Sequence, residues 1–253
     1  MRSTWLAALG MLAMLTSSAS SAGHPRQALV AHRAGVSVGA PNDGQLVDGE
    51  RLRTGPHLRI LPAYAGRHAE WGHGVLIALL DGAARDVHLA FPDTVTSVGD
   101  ISRHGGRELP HHHSHESGRD ADVAFFLADA RGAAVLQDDY LRIDTAGHTI
   151  HKGISFDDAR NWVFVRSLLT SAQGRVMAIF VAHWIRERLL SYGSRVSPPN
   201  VVQRAAEVLM QPTDAPPHDD HFHLRIACPS KTPQCIELPR PRSEIAAAGG
   251  EHR

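Results

Sequence analysis

The chain has little of several things, and each shortage narrows what it can do. It has only two cysteines, Cys228 and Cys235. That is too few for a four-thiolate metal site. It also has no net charge, with 26 basic against 26 acidic residues. This balance gives no electrostatic case for a nucleic acid or an anionic membrane partner. No apolar run is long enough to span a bilayer comfortably. No serine sits in a nucleophile-elbow motif, and no cysteine pattern competes for a nucleophile's role. The 253 residues, 43% of them apolar, suffice for one well-filled domain.

One short apolar run lies at the N-terminus, Trp5 to Leu15, after Arg2 and before Ser20-Ser21-Ala22. A positive start, a short apolar core and small residues together read as a secretory signal over 1–22, with Gly23 the first mature residue. Export places the protein in an oxidising compartment. There the pair Cys228 and Cys235, flanked by prolines, reads as a small disulfide loop. The mature chain is expected to have no integral membrane association.

Histidine is abundant, at eighteen residues. His111, His112, His113 and His115 crowd into five positions, and Asp122 follows. A second cluster, His218-Asp219-Asp220-His221-Phe222-His223, lies far downstream. In a strand, His221 and His223 project to one face about 7 Å apart, so one can hold a metal while the other stands beside its water. Asp120 and Asp122 alternate in the same way. Two imidazoles and a carboxylate make a zinc site with one coordination position open, the arrangement of a hydrolytic centre. A neighbouring histidine can take the water proton and deliver it to the leaving amine. Asp120 reads equally as a partner that orients a ligand histidine or as a solvated turn residue.

Residues 23–60 read as an extended, loop-dominated lead-in. Helices are expected from Trp71 to Leu80, ended by Asp81-Gly82; from Ala159 to Leu169, capped by Ser155; from Trp184 to Leu190; and from Val201 to Met210. Strands are expected within Val95–Ile101 and over Ala121–Leu127, Val176–Ala182 and His221–Ile226. Without a repeating strand–helix rhythm, this is an α+β domain with a small antiparallel sheet flanked by helices, over 23–238. The Pro- and Ala-rich stretch 239–253 reads as a frayed tail. Arg119 and Arg225 are expected to balance local aspartates before recognising substrate carboxylates. Trp71, Trp162 and Trp184 are expected to anchor the core. Asp157 and Asp158 read as helix-start residues.

Gly105-Gly106 followed by His112-His113-Ser114-His115-Glu116-Ser117-Gly118-Arg119-Asp120-Ala121-Asp122 resembles the first motif of the penicillin-insensitive murein endopeptidases. His218 to Arg225 with Cys228-Pro229 resembles their second. The family is a branch of the lysostaphin, D-Ala-D-Ala metallopeptidase and hedgehog-like group. The resemblance runs over about 37–235 and implies one zinc per chain, held by His115, Asp122 and His223. It implies His221 as catalytic base, with His112 and His218 lining the site. It further implies action on the D-alanyl–diaminopimelyl cross-link of peptidoglycan stem peptides, in the periplasm. His111 and His113 depart from the pattern and offer alternative ligands. Two other readings stay open: a D,D- or L,D-carboxypeptidase of the same group, and a non-catalytic periplasmic histidine-rich metal-binding protein.

Overall fold

The computed structural model describes residues 35–211, 215–230 and 232–239. The expected signal segment 1–22 and nearly all of the expected tail lie outside them. In chain order the elements are β1 (Val36–Ala40), β2 (Asp43–Val47), β3 (Glu50–Arg51), β4 (Leu58–Ile60), β5 (Trp71–Gly72), α1 (Gly74–Ala90), β6 (Thr96–Val98), β7 (Asp120–Ala124) and β8 (Leu127–Asp129). There follow β9 (Ala134–Val135), β10 (Ile154–Phe156), α2 (Asp158–Thr170), β11 (Val176–Phe180), α3 (His183–Val196), α4 (Pro199–Val208), β12 (Leu209–Met210) and β13 (His221–Ile226).

The fold is α+β, in one domain. Its main sheet has six strands in the order β12-β11-β13-β7-β6-β4. The four central strands pair antiparallel, and β12 and β4 add parallel pairs at the two edges. Strand alternation decides what each face carries. On β13, Phe222, Leu224 and Ile226 are fully buried in a core shared with α1, α2, α3 and α4. The intervening residues His221, His223 and Arg225 point away from that core. In register opposite them on β7 stand Ala124, Asp122 and Asp120. The helices therefore fill one face of the sheet, and the other carries both chemically active motifs.

Several elements differ from expectation. α1 runs through Asp81-Gly82 to Ala90. A helical glycine costs about 1 kcal/mol, but Ala83, Ala84 and Val87 bury on the same stripe as Leu76, Leu79 and Leu80. Asp81 also holds Arg85 one turn on, so the exposed face continues as well. α2 is capped by Asp157, whose carboxylate accepts from Arg160 N at 2.9 Å. Ser155 is instead paired within β10 opposite Ala128. α3 extends to Val196, beyond the expected Leu190. It approaches α2 closely at Gly193, where a Cβ would stand 2.4 Å from the Trp162 ring. Leu209 and Met210 leave α4 to pair with Ile179 and Phe180.

The lead-in is not mere loop, since it holds β1 to β4. These strands are two to five residues long, too short for an alternating apolar signal. Cys228 and Cys235 form a disulfide with Cα atoms 5.8 Å apart. It fixes a return of the chain onto β1, where Gly39 N donates to Gln234 O and Ile236 N to Gly39 O, each at 2.9 Å. Arg119 departs from the expected aspartate pairing. It is fully buried and donates to Ile236 O at 2.9 Å, with Glu237 3.6 Å away.

Candidate active site

Asp122 lies at the centre of the polar face. Its Oδ1 is 3.3 Å from His115 Nε2, 3.3 Å from His223 Nδ1 and 3.5 Å from His221 Nε2. Its Oδ2 is 3.7 Å from His112 Nδ1.

The outer nitrogens fix the tautomers. His115 Nδ1 lies 2.7 Å from the Ile101 carbonyl oxygen, which can only accept, so Nδ1 carries the proton. His221 Nδ1 lies 2.6 Å from an Asp220 carboxylate oxygen and donates for the same reason. His223 Nε2 faces Asp120 Oδ1 at 3.3 Å. In its neutral form each ring thereby turns a lone pair toward Asp122 Oδ1, itself an acceptor. His115 Nε2 and Asp122 Oδ1 are buried without a hydrogen-bond partner. Acceptors converging on one point in a dry site suit a cation. Four ligand atoms arranged tetrahedrally around zinc at about 2.0–2.1 Å would stand roughly 3.3 Å apart. The His115–Asp122 and His223–Asp122 separations, both 3.3 Å, meet that requirement.

The backbone supports the arrangement under strain. His115 has φ +75°, a left-handed conformation costing on the order of 1 kcal/mol or more in a non-glycine residue. Its N–H donates to Asp120 Oδ2 at 3.3 Å. Asp120 is fully buried and also accepts from Arg225 Nε at 2.6 Å. It thus touches two of the three expected ligands. Burial would raise the Asp120 carboxyl, but Arg225 and then His223 hold it well below the ordinary range. Asp122 is likewise depressed, its burial outweighed by His115 and His221. Burial lowers His221, yet Asp122 and Asp220 overcome this and raise it to about 10, so the ring holds a proton at neutral pH unless a cation offsets the Asp122 charge and frees Nε2. His218 moves the other way, down to about 3, through burial and the neighbouring His223 and His221.

His112, His115, Asp120, Asp122, His218, His221 and His223 therefore lie together on the polar face. His112, His115 and Asp122 offer ligand atoms within 4.8 Å of one another, as do His218, His221 and His223, and Asp122 Oδ1 joins the two groups. His111 and His113 are exposed and outside both groups. Sequence reasoning missed Asp100, which is fully buried and binds His112 Nε2 at 2.8 Å and Arg67 at 3.1 Å. It also missed Tyr140, whose ring stacks on His221 at 4.6 Å. Asp100 lies in the stretch Val98-Gly99-Asp100-Ile101-Ser102, which resembles the same family, but it was given no role, and no local signal marks Tyr140.

The family model described as penicillin-insensitive murein endopeptidase matches residues 37–248, which include both clusters. The chain belongs to that family. Membership implies a peptidase, a hydrolase whose substrate class is peptidoglycan, consistent with a cluster able to hold a metal ion. No curated protein matches the chain. Among the described residues no helix is long and apolar enough to cross a membrane.

Proposed function

We propose that this chain is an exported zinc metallopeptidase that hydrolyses D-alanyl–diaminopimelyl cross-links of peptidoglycan. In this reading residues 1–22 direct export to the periplasm, 23–238 form the peptidase domain and 239–253 a tail. The observation that carries the proposal is the convergence of three imidazole nitrogens on Asp122 Oδ1 at 3.3–3.5 Å. The family description supports the substrate class.

His115 Nε2, Asp122 Oδ1 and His223 Nδ1 would hold the metal. Zinc held there would supply Lewis acidity, able to lower the pKa of water toward about 7 and to polarise the scissile carbonyl. His221, held by Asp220 through Nδ1–H, accepts a proton at Nε2 and passes it to the departing amine. His218 stays neutral beside it, its ring 5.3 Å from that of His221. Asp120 orients His223 through Nε2–H and the His115 backbone through N–H.

Elemental analysis tests the metal directly. The purified protein should hold close to one zinc per chain, and His115→Ala should lose most of it. Chelation should abolish cleavage and zinc should restore it. A metal-free protein that still cleaves, or a His115→Ala variant with undiminished zinc, contradicts the proposal.

A further inference from the structure

Tyr140 lies in the irregular stretch between β9 and β10, held firmly at both ends. Ala63 N donates to Asp138 O at 2.9 Å, and Ile143 N to Asp219 O at 2.7 Å. The second link ties the stretch to Asp219, two residues before the His221 strand. Between these anchors the Tyr140 ring packs against Tyr64, with centroids 4.8 Å apart, and stacks on His221 with 24° between planes.

The hydroxyl reaches over Gly99. A Cβ there would stand 1.9 Å from the phenol oxygen, so only glycine leaves room for it. Gly99 N donates to the Asp122 backbone carbonyl at 2.9 Å. Both neighbours of the phenol thus contact Asp122, Gly99 at its backbone and His221 at its carboxylate. Its oxygen is buried and has no hydrogen-bond partner, as is true of His115 Nε2 and Asp122 Oδ1 in the same pocket. A buried hydroxyl without a partner costs about 1–3 kcal/mol, and phenylalanine would fill the same space without that cost. Burial and the surrounding carboxylates, Asp122 first, also keep the phenol protonated and therefore a donor.

A donor placed there suits an oxygen that arrives with substrate. We propose that Tyr140 is a further catalytic residue of the zinc-peptidase reading above, on which this inference rests. Its hydroxyl donates a hydrogen bond to the carbonyl oxygen of the scissile peptide and stabilises the negative charge that builds there as water adds.

Tyr140→Phe keeps the ring on His221 and removes only the donor. On a cross-linked muropeptide dimer, kcat should fall roughly 100- to 1,000-fold and KM should stay within about twofold. Zinc content and melting temperature should be unchanged. Calorimetry with a phosphinic pseudo-dipeptide of D-alanine, a mimic of the tetrahedral state, should show binding weakened about tenfold. Wild-type kcat, or equal affinity for the phosphinic probe, would overturn the proposal. Loss of zinc or of stability alongside kcat would also overturn it, because the hydroxyl would then be structural. If wild type cleaves the dimer and Tyr140→Phe matches it, only this inference falls. If wild type neither cleaves the dimer nor binds the probe, the peptidase reading falls as well.

Discussion

Among individual residues, Asp120 supports more of the site than its place in the sequence suggests. It accepts from Arg225 and the His115 backbone and faces His223, all while fully buried. Removing such a partner costs metal affinity because the ligand rings lose their set orientation. Asp120→Asn should weaken zinc binding about 10- to 100-fold in competition with a chromophoric chelator. Unchanged affinity would reduce Asp120 to a charge partner for Arg225. The two clusters were legible in sequence because histidine and aspartate declare their chemistry, and each cluster lies within one short segment. Tyr140 was not legible, and Asp100 only as part of the family-like stretch Val98 to Ser102. Their parts depend on how separate stretches cross, which no single segment shows.

Among the elements, β7 and β13 do the most for the site. Their antiparallel register sets His223 opposite Asp122 and Arg225 opposite Asp120. Both strands were legible in outline, because apolar residues alternate with the ligands along β13. The lead-in strands were not, since two to five residues carry no period. The extent of α1 was misjudged because a single glycine mattered less than the buried stripe on either side of it. The start of that helix makes a separate prediction. His73 caps α1 by accepting from Val75 N at 3.1 Å through Nδ1, which requires a neutral ring. Burial, and then Arg119, lower its pKa to about 4. Between pH about 4 and about 6.5 the unfolded chain therefore binds a proton that the folded chain does not. Stability should fall as pH drops through that window. His73→Asn keeps a capping side chain and removes the titration. Melting temperatures measured from pH 7 to pH 4 should fall less steeply in the variant. Parallel curves would show that His73 does not contribute.

For the whole molecule, the sheet joins two motifs that lie far apart in the chain, and the helical core on its other face keeps them together. The Cys228–Cys235 loop adds a tie from the end of β13 back to β1. Inside that tie, Arg119 supports the segment that leads into Asp120 and Asp122. This organisation accounts for a buried cluster able to hold a metal ion, and family membership indicates the class of substrate. It does not separate cross-link cleavage from the trimming of stems, because both reactions need the same ligands. Muropeptide mass spectrometry separates them most directly. Purified peptidoglycan would be incubated with the mature protein and, in parallel, with His221→Ala. The account predicts that cross-linked dimers become monomers with intact tetrapeptide stems, and that His221→Ala loses this activity while retaining zinc. Dimers that persist while stems shorten, or a His221→Ala variant as active as wild type, would contradict it.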